Sequence, residues 1–105
     1  IANGGNGIQV GGRSAVTNCN VSAHLGLSAV GIYATGADSN LDSNTATTNT
    51  TGIRVDGGCI VTRNKASGNI TNFSFNTSMG ANLTGPLVNT PAGMTTAGPW
   101  SNFEF

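Results

Sequence analysis

The chain has 105 residues, a formal net charge of zero at pH 7, and only 8% charged residues. This length supports one domain, taken here as residues 1–105. So few basic residues give no surface for the phosphates of nucleic acid, and no apolar run reaches the length of a membrane-spanning helix. Neither nucleic acid nor a membrane is therefore an expected partner.

A repeat of roughly 21 residues organises the chain from its start to residue 77. The first repeated column is apolar, at successive spacings of 24, 21 and 20 residues, and consists of Ile8, Ile32, Ile53 and Phe73. A second apolar column follows two residues later and consists of Val10, Ala34, Val55 and Phe75. A third column aligns Val16, Leu41 and Val61. Agreement between separate columns indicates a true structural repeat.

Within each repeat, apolar and polar residues alternate with period two, which is typical of a strand buried on one face. Glycine and asparagine separate these short runs at fixed offsets, as turn residues do. No helical period is present. The pattern predicts an all-β chain, a right-handed parallel β-helix (solenoid) of about four coils.

Asparagines also recur, at the bends between the predicted strands. Asn44 and Asn64 align at one bend, and Asn49 and Asn69 align at the next. Stacked amides can hydrogen-bond from one coil to the next, so we expect an asparagine ladder at each bend. In the first coil, Cys19 takes the place of the first pair and His24 that of the second.

After residue 77 the repeat weakens, and residues 78–105 are interpreted as a terminal strand and a cap. Residues 85–89 are the only candidate strand there. The aromatic residues Trp100, Phe103 and Phe105 are expected to form an irregular cap over the end or flank of the solenoid.

The Gly-Ile-x-Val motif at Gly7 and Gly52 and the Val-x-x-Asn-x-Ala motif at Val61 resemble the right-handed parallel β-helix proteins of the pectate-lyase-like class. The ending Pro99-Trp100-Ser101-Asn102-Phe103 is similar to the C-terminal closure of secreted bacterial members. The resemblance implies an extracellular or cell-surface protein, and carbohydrate as the substrate class of its enzymatic relatives.

Enzymes that the chain resembles gather acidic residues for calcium or for acid-base chemistry. This sequence has only four acidic residues, Asp38, Asp42, Asp56 and Glu104, and the repeat brings no two of them together. The sole histidine, His24, has no recognisable partner. We therefore predict no catalytic residue, no metal site and no cofactor.

Tyr33 and Arg54 align on the outward face of neighbouring coils, where they could bind a sugar or simply contact one another. Cys19 and Cys59 lie two coils apart, about 10 Å along the axis, so they are expected to be free, largely buried thiols.

Three hypotheses about function follow. The first is a non-catalytic extracellular structural or interaction module that self-associates end to end into a homo-oligomer or filament, because coil ends expose unpaired strand edges. The second is the C-terminal part of a carbohydrate-active β-helix lyase or hydrolase. The third is a glycan-binding module that uses Tyr33 and Arg54.

Overall fold

The computed structural model describes residues 5–77, 80–85, 87–88, 98 and 101–105. These residues contain strands and no helix. The strands are β1 Ile8–Val10, β2 Ala15–Thr17, β3 Asn20–Ser22, β4 Val30–Ala34, β5 Asn40–Asp42, β6 Thr45–Thr47, β7 Thr51–Val55, β8 Ile60–Thr62, β9 Lys65–Ser67, β10 Thr71–Phe75, β11 Leu83–Thr84, β12 Leu87–Val88 and β13 Asn102–Glu104.

The strands form three parallel sheets that stack as a solenoid of about four coils. Sheet 1 has the order β1-β4-β7-β10, and sheet 2 has the order β2-β5-β8-β11. Sheet 3 has the order β3-β6-β9-β13-β12. Each of the first three coils thus contributes one strand to each sheet, and sheet 3 has one strand more than the others. The predicted all-β parallel solenoid is confirmed.

The register of the strands matches the columns that the sequence predicted. In sheet 1, Ile8 pairs with Ile32, Ile32 with Ile53, and Phe73 with Ile53. In sheet 2, Leu41 lies between Val16 and Val61. The core therefore consists of apolar columns along the solenoid axis, and burial of each large aliphatic side chain contributes about 1.5–3 kcal/mol.

Burial is complete in the middle coils and incomplete at both ends. Ile32 and Ile53 have no solvent exposure, whereas Ile8, Val10, Phe73 and Phe75 are only partly buried. The rings of Phe73 and Phe75 stack at 5.6 Å. Each middle coil is covered by a coil on both sides, whereas each end coil is covered on one side.

The chain turns between sheets at corners that repeat every five residues. In successive coils, a residue with positive φ occupies each corner, and these residues are Arg13, Asn18 and Ala23, then Asp38, Ser43 and Thr48, then Gly58, Arg63 and Gly68. We call the corners first, second and third in that order. A side chain in this left-handed region is unfavourable unless surrounding contacts hold it. The residue that follows each corner position makes those contacts.

The C-terminal residues differ from their predicted form. Residues 102–104 form β13, a regular strand that pairs with β9 and with β12. Phe103 therefore belongs to a sheet rather than to an irregular segment. Phe105 follows the strand and is 69% exposed. Trp100 lies outside the described residues, and an aromatic cap stays a prediction.

Candidate functional site

Tyr33 and Arg54 lie side by side on the outward face of sheet 1. Strand pairing aligns Tyr33 with Gln9 on one side and with Arg54 on the other. The Arg54 guanidinium carbon lies 4.7 Å from the centroid of the Tyr33 ring. This is a cation-π geometry, so the two side chains contact one another as the repeat predicted.

Asp56 completes this cluster, although the sequence analysis paired only Tyr33 with Arg54. The Tyr33 hydroxyl donates to Asp56 Oδ2 at 2.7 Å. Arg54 Nε donates to Asp56 Oδ1 at 3.2 Å, and Asn76 Nδ2 donates to the same oxygen at 3.3 Å. The missed signal was the position of Asp56, two residues after Arg54 and directly beyond the end of β7.

These contacts set the ionisation of the cluster. The hydrogen bond to Asp56 and partial burial raise the pKa of Tyr33. Burial acts to raise the pKa of Asp56, but the Tyr33 hydroxyl and the Arg54 charge outweigh it, and the pKa lies below the ordinary 3.8. At neutral pH, Tyr33 is thus neutral and Asp56 is ionised. Both pKa values are thus shifted away from neutral pH, opposite to the shift that tunes a general acid or base.

A second outward cluster lies on sheet 2. Arg63 Nε donates to Asp42 Oδ1 at 2.7 Å, and Thr62 Oγ1 donates to the same oxygen at 3.2 Å. The bond from Arg63 lowers the pKa of Asp42 and raises that of Arg63. The pair borders an open groove of about 520 Å³, whose apolar part includes Ile60 and Leu83.

The second corner contains a continuous ladder of buried amides. Asn44 Nδ2 donates to Asn64 Oδ1 at 2.9 Å, and Asn64 Nδ2 donates to Asn102 Oδ1 at 3.1 Å. Each amide also binds the backbone of the coil before it. Asn64 Oδ1 accepts from the backbone N–H of Asn44, and its Nδ2 donates to the Leu41 carbonyl. Asn102 is a ladder member that the sequence analysis missed.

The third corner carries a similar ladder and explains the glycine that precedes the first-column isoleucine at Gly31 and Gly52. Asn49 Nδ2 donates to Asn69 Oδ1 at 3.1 Å, and Asn69 Nδ2 donates to Asn72 Oδ1 at 3.0 Å. A Cβ atom at Gly52 would lie 2.7 Å from Asn69 Nδ2, and one at Gly31 would lie 2.8 Å from Asn49 Nδ2. This glycine therefore makes room for the amide.

The first corner uses smaller polar side chains in the same way. Ser39 Oγ donates to the Gly11 carbonyl of the preceding coil, and Cys59 Sγ lies 3.3 Å from the Gly36 carbonyl. Asn82 Oδ1 then accepts from the backbone N–H of Cys59. Both cysteines are free, but only Cys59 is fully buried, whereas Cys19 is half-buried.

In the first coil, the corner residues bond differently. Ser14 Oγ donates to the Gly12 carbonyl and Cys19 Sγ to the Thr17 carbonyl, both within the same coil. The His24 ring nitrogen Nδ1 lies 3.2 Å from the Gly5 carbonyl. The amide ladders therefore extend from the second coil onwards. Cys19 and His24 of the first coil take part in the ladders through their backbone N–H groups, which donate to Asn44 Oδ1 and Asn49 Oδ1.

The two ends of the solenoid are also unlike. At the first-coil end, β1, β2 and β3 are the outermost strands of the three sheets among the described residues. At the other end, sheet 3 has one strand more than sheets 1 and 2, and Glu104 pairs with Ala66 in an inward-facing column. The outermost strands of sheets 2 and 3 at this end, β11 and β12, have only two residues each, and very short edge strands are a common protection against pairing.

The described residues contain no cluster of three or more His, Cys, Asp or Glu side chains that could hold a metal ion. Nor does a helix long and apolar enough to cross a membrane occur in this part of the chain. No family model, curated protein or solved structure matches the chain.

Proposed function

We propose that the protein is a non-catalytic structural module that self-associates end to end, with the first-coil end as its contact surface. The observation that carries this proposal is the set of three outermost strands at that end, with Ile8 and Val10 only partly buried beneath them. Strand edges of this kind template pairing with another chain. The opposite end, where the outermost strands β11 and β12 have only two residues each, is the less suitable surface.

An extracellular or cell-surface location belongs to the same proposal. It rests on the resemblance of the repeat motifs to secreted bacterial β-helix proteins of the pectate-lyase-like class. Contact between the first-coil ends of two copies closes on itself as a dimer, whereas a filament would also use the opposite end.

The substitution Val10→Lys tests the contact surface. It places a charge among the partly buried side chains of the first coil, where association would have to desolvate it. Gln9→Lys is the matched control, because it adds the same charge to the same strand on the exposed outward face. Circular dichroism checks that both variants fold.

Multi-angle light scattering across a concentration series gives the mass of each variant. We expect wild type and Gln9→Lys to form dimers and folded Val10→Lys to be monomeric. A wild-type protein that stays monomeric at the highest concentration reached would contradict the proposal. Equal association by Val10→Lys would move the contact away from the first-coil end.

Glycan binding on sheet 1 is the second candidate, and it is favoured by the Arg54 side chain, which remains 40% exposed above Tyr33. A sugar hydroxyl would compete with Tyr33 for Asp56. A glycan array with wild type, Arg54→Ala and Arg13→Ala tests this. Signal lost only in Arg54→Ala supports binding at this face, and absence of wild-type signal contradicts it.

A further inference from the structure

β13 occupies a place in sheet 3 that chain order would give to another strand. After β11, the next strand along the chain is β12, yet β13 lies between β9 and β12. Leu87 of β12 pairs with Asn102 of β13, so Leu87 lies one strand further along the column of Asn44 and Asn64. We call the place between β9 and β12 the slot.

The chemistry of the slot explains why β13 fills it. The backbone N–H and Nδ2 of Asn64 both donate to Asn102 Oδ1, each at 3.1 Å. Asn102 Nδ2 donates in turn to the carbonyls of Val61 and Gly85, each at 3.0 Å. A leucine in the slot would leave these groups unpaired in a buried position, which is strongly unfavourable. The slot therefore requires a segment with asparagine at this position.

None of these bonds depends on which copy of the chain supplies β13. Two further bonds to β9 and its flank, from the Phe103 N–H to Asn64 and from the Phe105 N–H to Ala66, are backbone bonds of the same kind. Thirteen residues separate Val88 from Asn102. Extended, they reach up to about 43 Å, which exceeds the largest dimension of the molecule, 36 Å.

We propose that β13 exchanges between two copies of this chain, each placing its strand in the slot of the other. The exchange is closed, because each copy gives one strand and receives one. The intrachain arrangement is favoured in dilute solution, since the connection gives β13 an effective concentration of roughly millimolar at the slot of its own chain. Exchange is favoured where chains fold at a protein concentration comparable to this effective concentration. This interface is separate from the first-coil end and does not rest on association there.

Two single-cysteine chains test the exchange, in a background with Cys19→Ser and Cys59→Ser. One carries Lys65→Cys and the other Phe103→Cys, because these residues pair across β9 and β13. Neighbouring strands lie about 4.8 Å apart, within the Cα range of a disulfide. The chains are unfolded, mixed, refolded together at about 1 mM and oxidised, and the same chains are refolded apart and mixed at about 10 µM.

We expect a covalent dimer containing one of each chain after refolding together, at least about tenfold above its yield from the chains refolded apart. Leu27→Cys, on a fully exposed side chain, replaces Phe103→Cys in a control for random collision. The double variant Lys65→Cys/Phe103→Cys, refolded in dilute solution, should close a disulfide within one chain. Adding Val10→Lys should leave the mixed dimer unchanged, which separates exchange from end association.

Closure within the double variant without any mixed dimer above the Leu27→Cys control would overturn the proposal. Failure of the double variant to close a disulfide would overturn it too, since the pairing of β9 with β13 would then be absent in solution.

Discussion

Arg63 and Asn64 are neighbours in the chain but lie in opposite surroundings at the second corner. Arg63 forms a two-bond ion pair with Asp42 on the surface, and its side chain is 46% exposed. Asn64 is fully buried; its Oδ1 accepts from Asn44 in the preceding coil, and its Nδ2 donates to Leu41 on that side and to Asn102 on the other. Exposed ion pairs contribute little, whereas an unpaired buried amide is costly. Coil-to-coil registry therefore rests on the buried amide rather than on the ion pair.

Replacing Asn64 with leucine should have the largest effect. The side chain keeps its approximate size, but the Asn44 amide, the Leu41 carbonyl and Asn102 each lose a partner. At about 1–3 kcal/mol for each unpaired buried group, we expect a loss of at least about 3 kcal/mol in the free energy of unfolding. Urea unfolding followed by circular dichroism measures it.

Asn20→Ala is the control, since this asparagine is exposed on β3. It should change the free energy of unfolding by less than about 0.5 kcal/mol. Similar losses in the two variants would contradict the assignment of registry to the ladder.

Gly52→Ala should be the next largest in effect. The added Cβ atom would lie 2.6 Å from the Asn72 carbonyl oxygen and 2.7 Å from Asn69 Nδ2, so the third-corner ladder must shift. Overpacking of this kind typically costs about 1–3 kcal/mol. Gly11→Ala is the matched control, because its Cβ would meet nothing within 4 Å. Thermal unfolding of both variants decides whether the motif glycine is needed for the amide.

The two surface clusters should contribute a smaller, pH-dependent part of the stability. The pKa values of Asp42 and Asp56 lie below their ordinary 3.8 in the folded protein. Their contribution is therefore present above that value and is lost as the pH falls through the folded-state pKa. We expect the melting temperature of wild type to fall at acid pH more than that of Asp42→Asn/Asp56→Asn. Parallel acid profiles would show that neither carboxylate stabilises the fold.

The repeat carries most of the information that the sequence alone could supply. Ile32 and Ile53 recur at a fixed offset, and a strand register follows directly from such columns. The contact between the Asn44 and Asn64 amides is predicted in the same way, from their shared offset in the repeat. Local periodicity is sufficient here because each coil contacts mainly its neighbours.

Contacts outside the repeat could not be predicted in this way. Asn102 is 38 residues from Asn64 and belongs to no column of the sequence, so its place in the ladder is visible only when β13 is in the slot. Asp56 bonds to Tyr33 of the neighbouring coil through side chains whose rotamers no backbone pattern specifies. Periodicity thus predicts neither where the chain returns after a long connection nor which rotamers the side chains adopt.

Cys59→Ser should have the smallest effect, and it tests whether polar contacts or packing stabilise the first corner. Serine already occupies the equivalent place in the two preceding coils, as Ser14 and Ser39. Its hydroxyl can donate to the carbonyls of Gly36 and Gly57, as the thiol does at 3.3 Å. We expect a change below about 1 kcal/mol in urea unfolding, because a polar side chain with a partner replaces another. Cys59→Val, similar in size but without a donor, should lose more. Equal losses would mean that this corner is stabilised by packing alone, unlike the amide-bonded second corner.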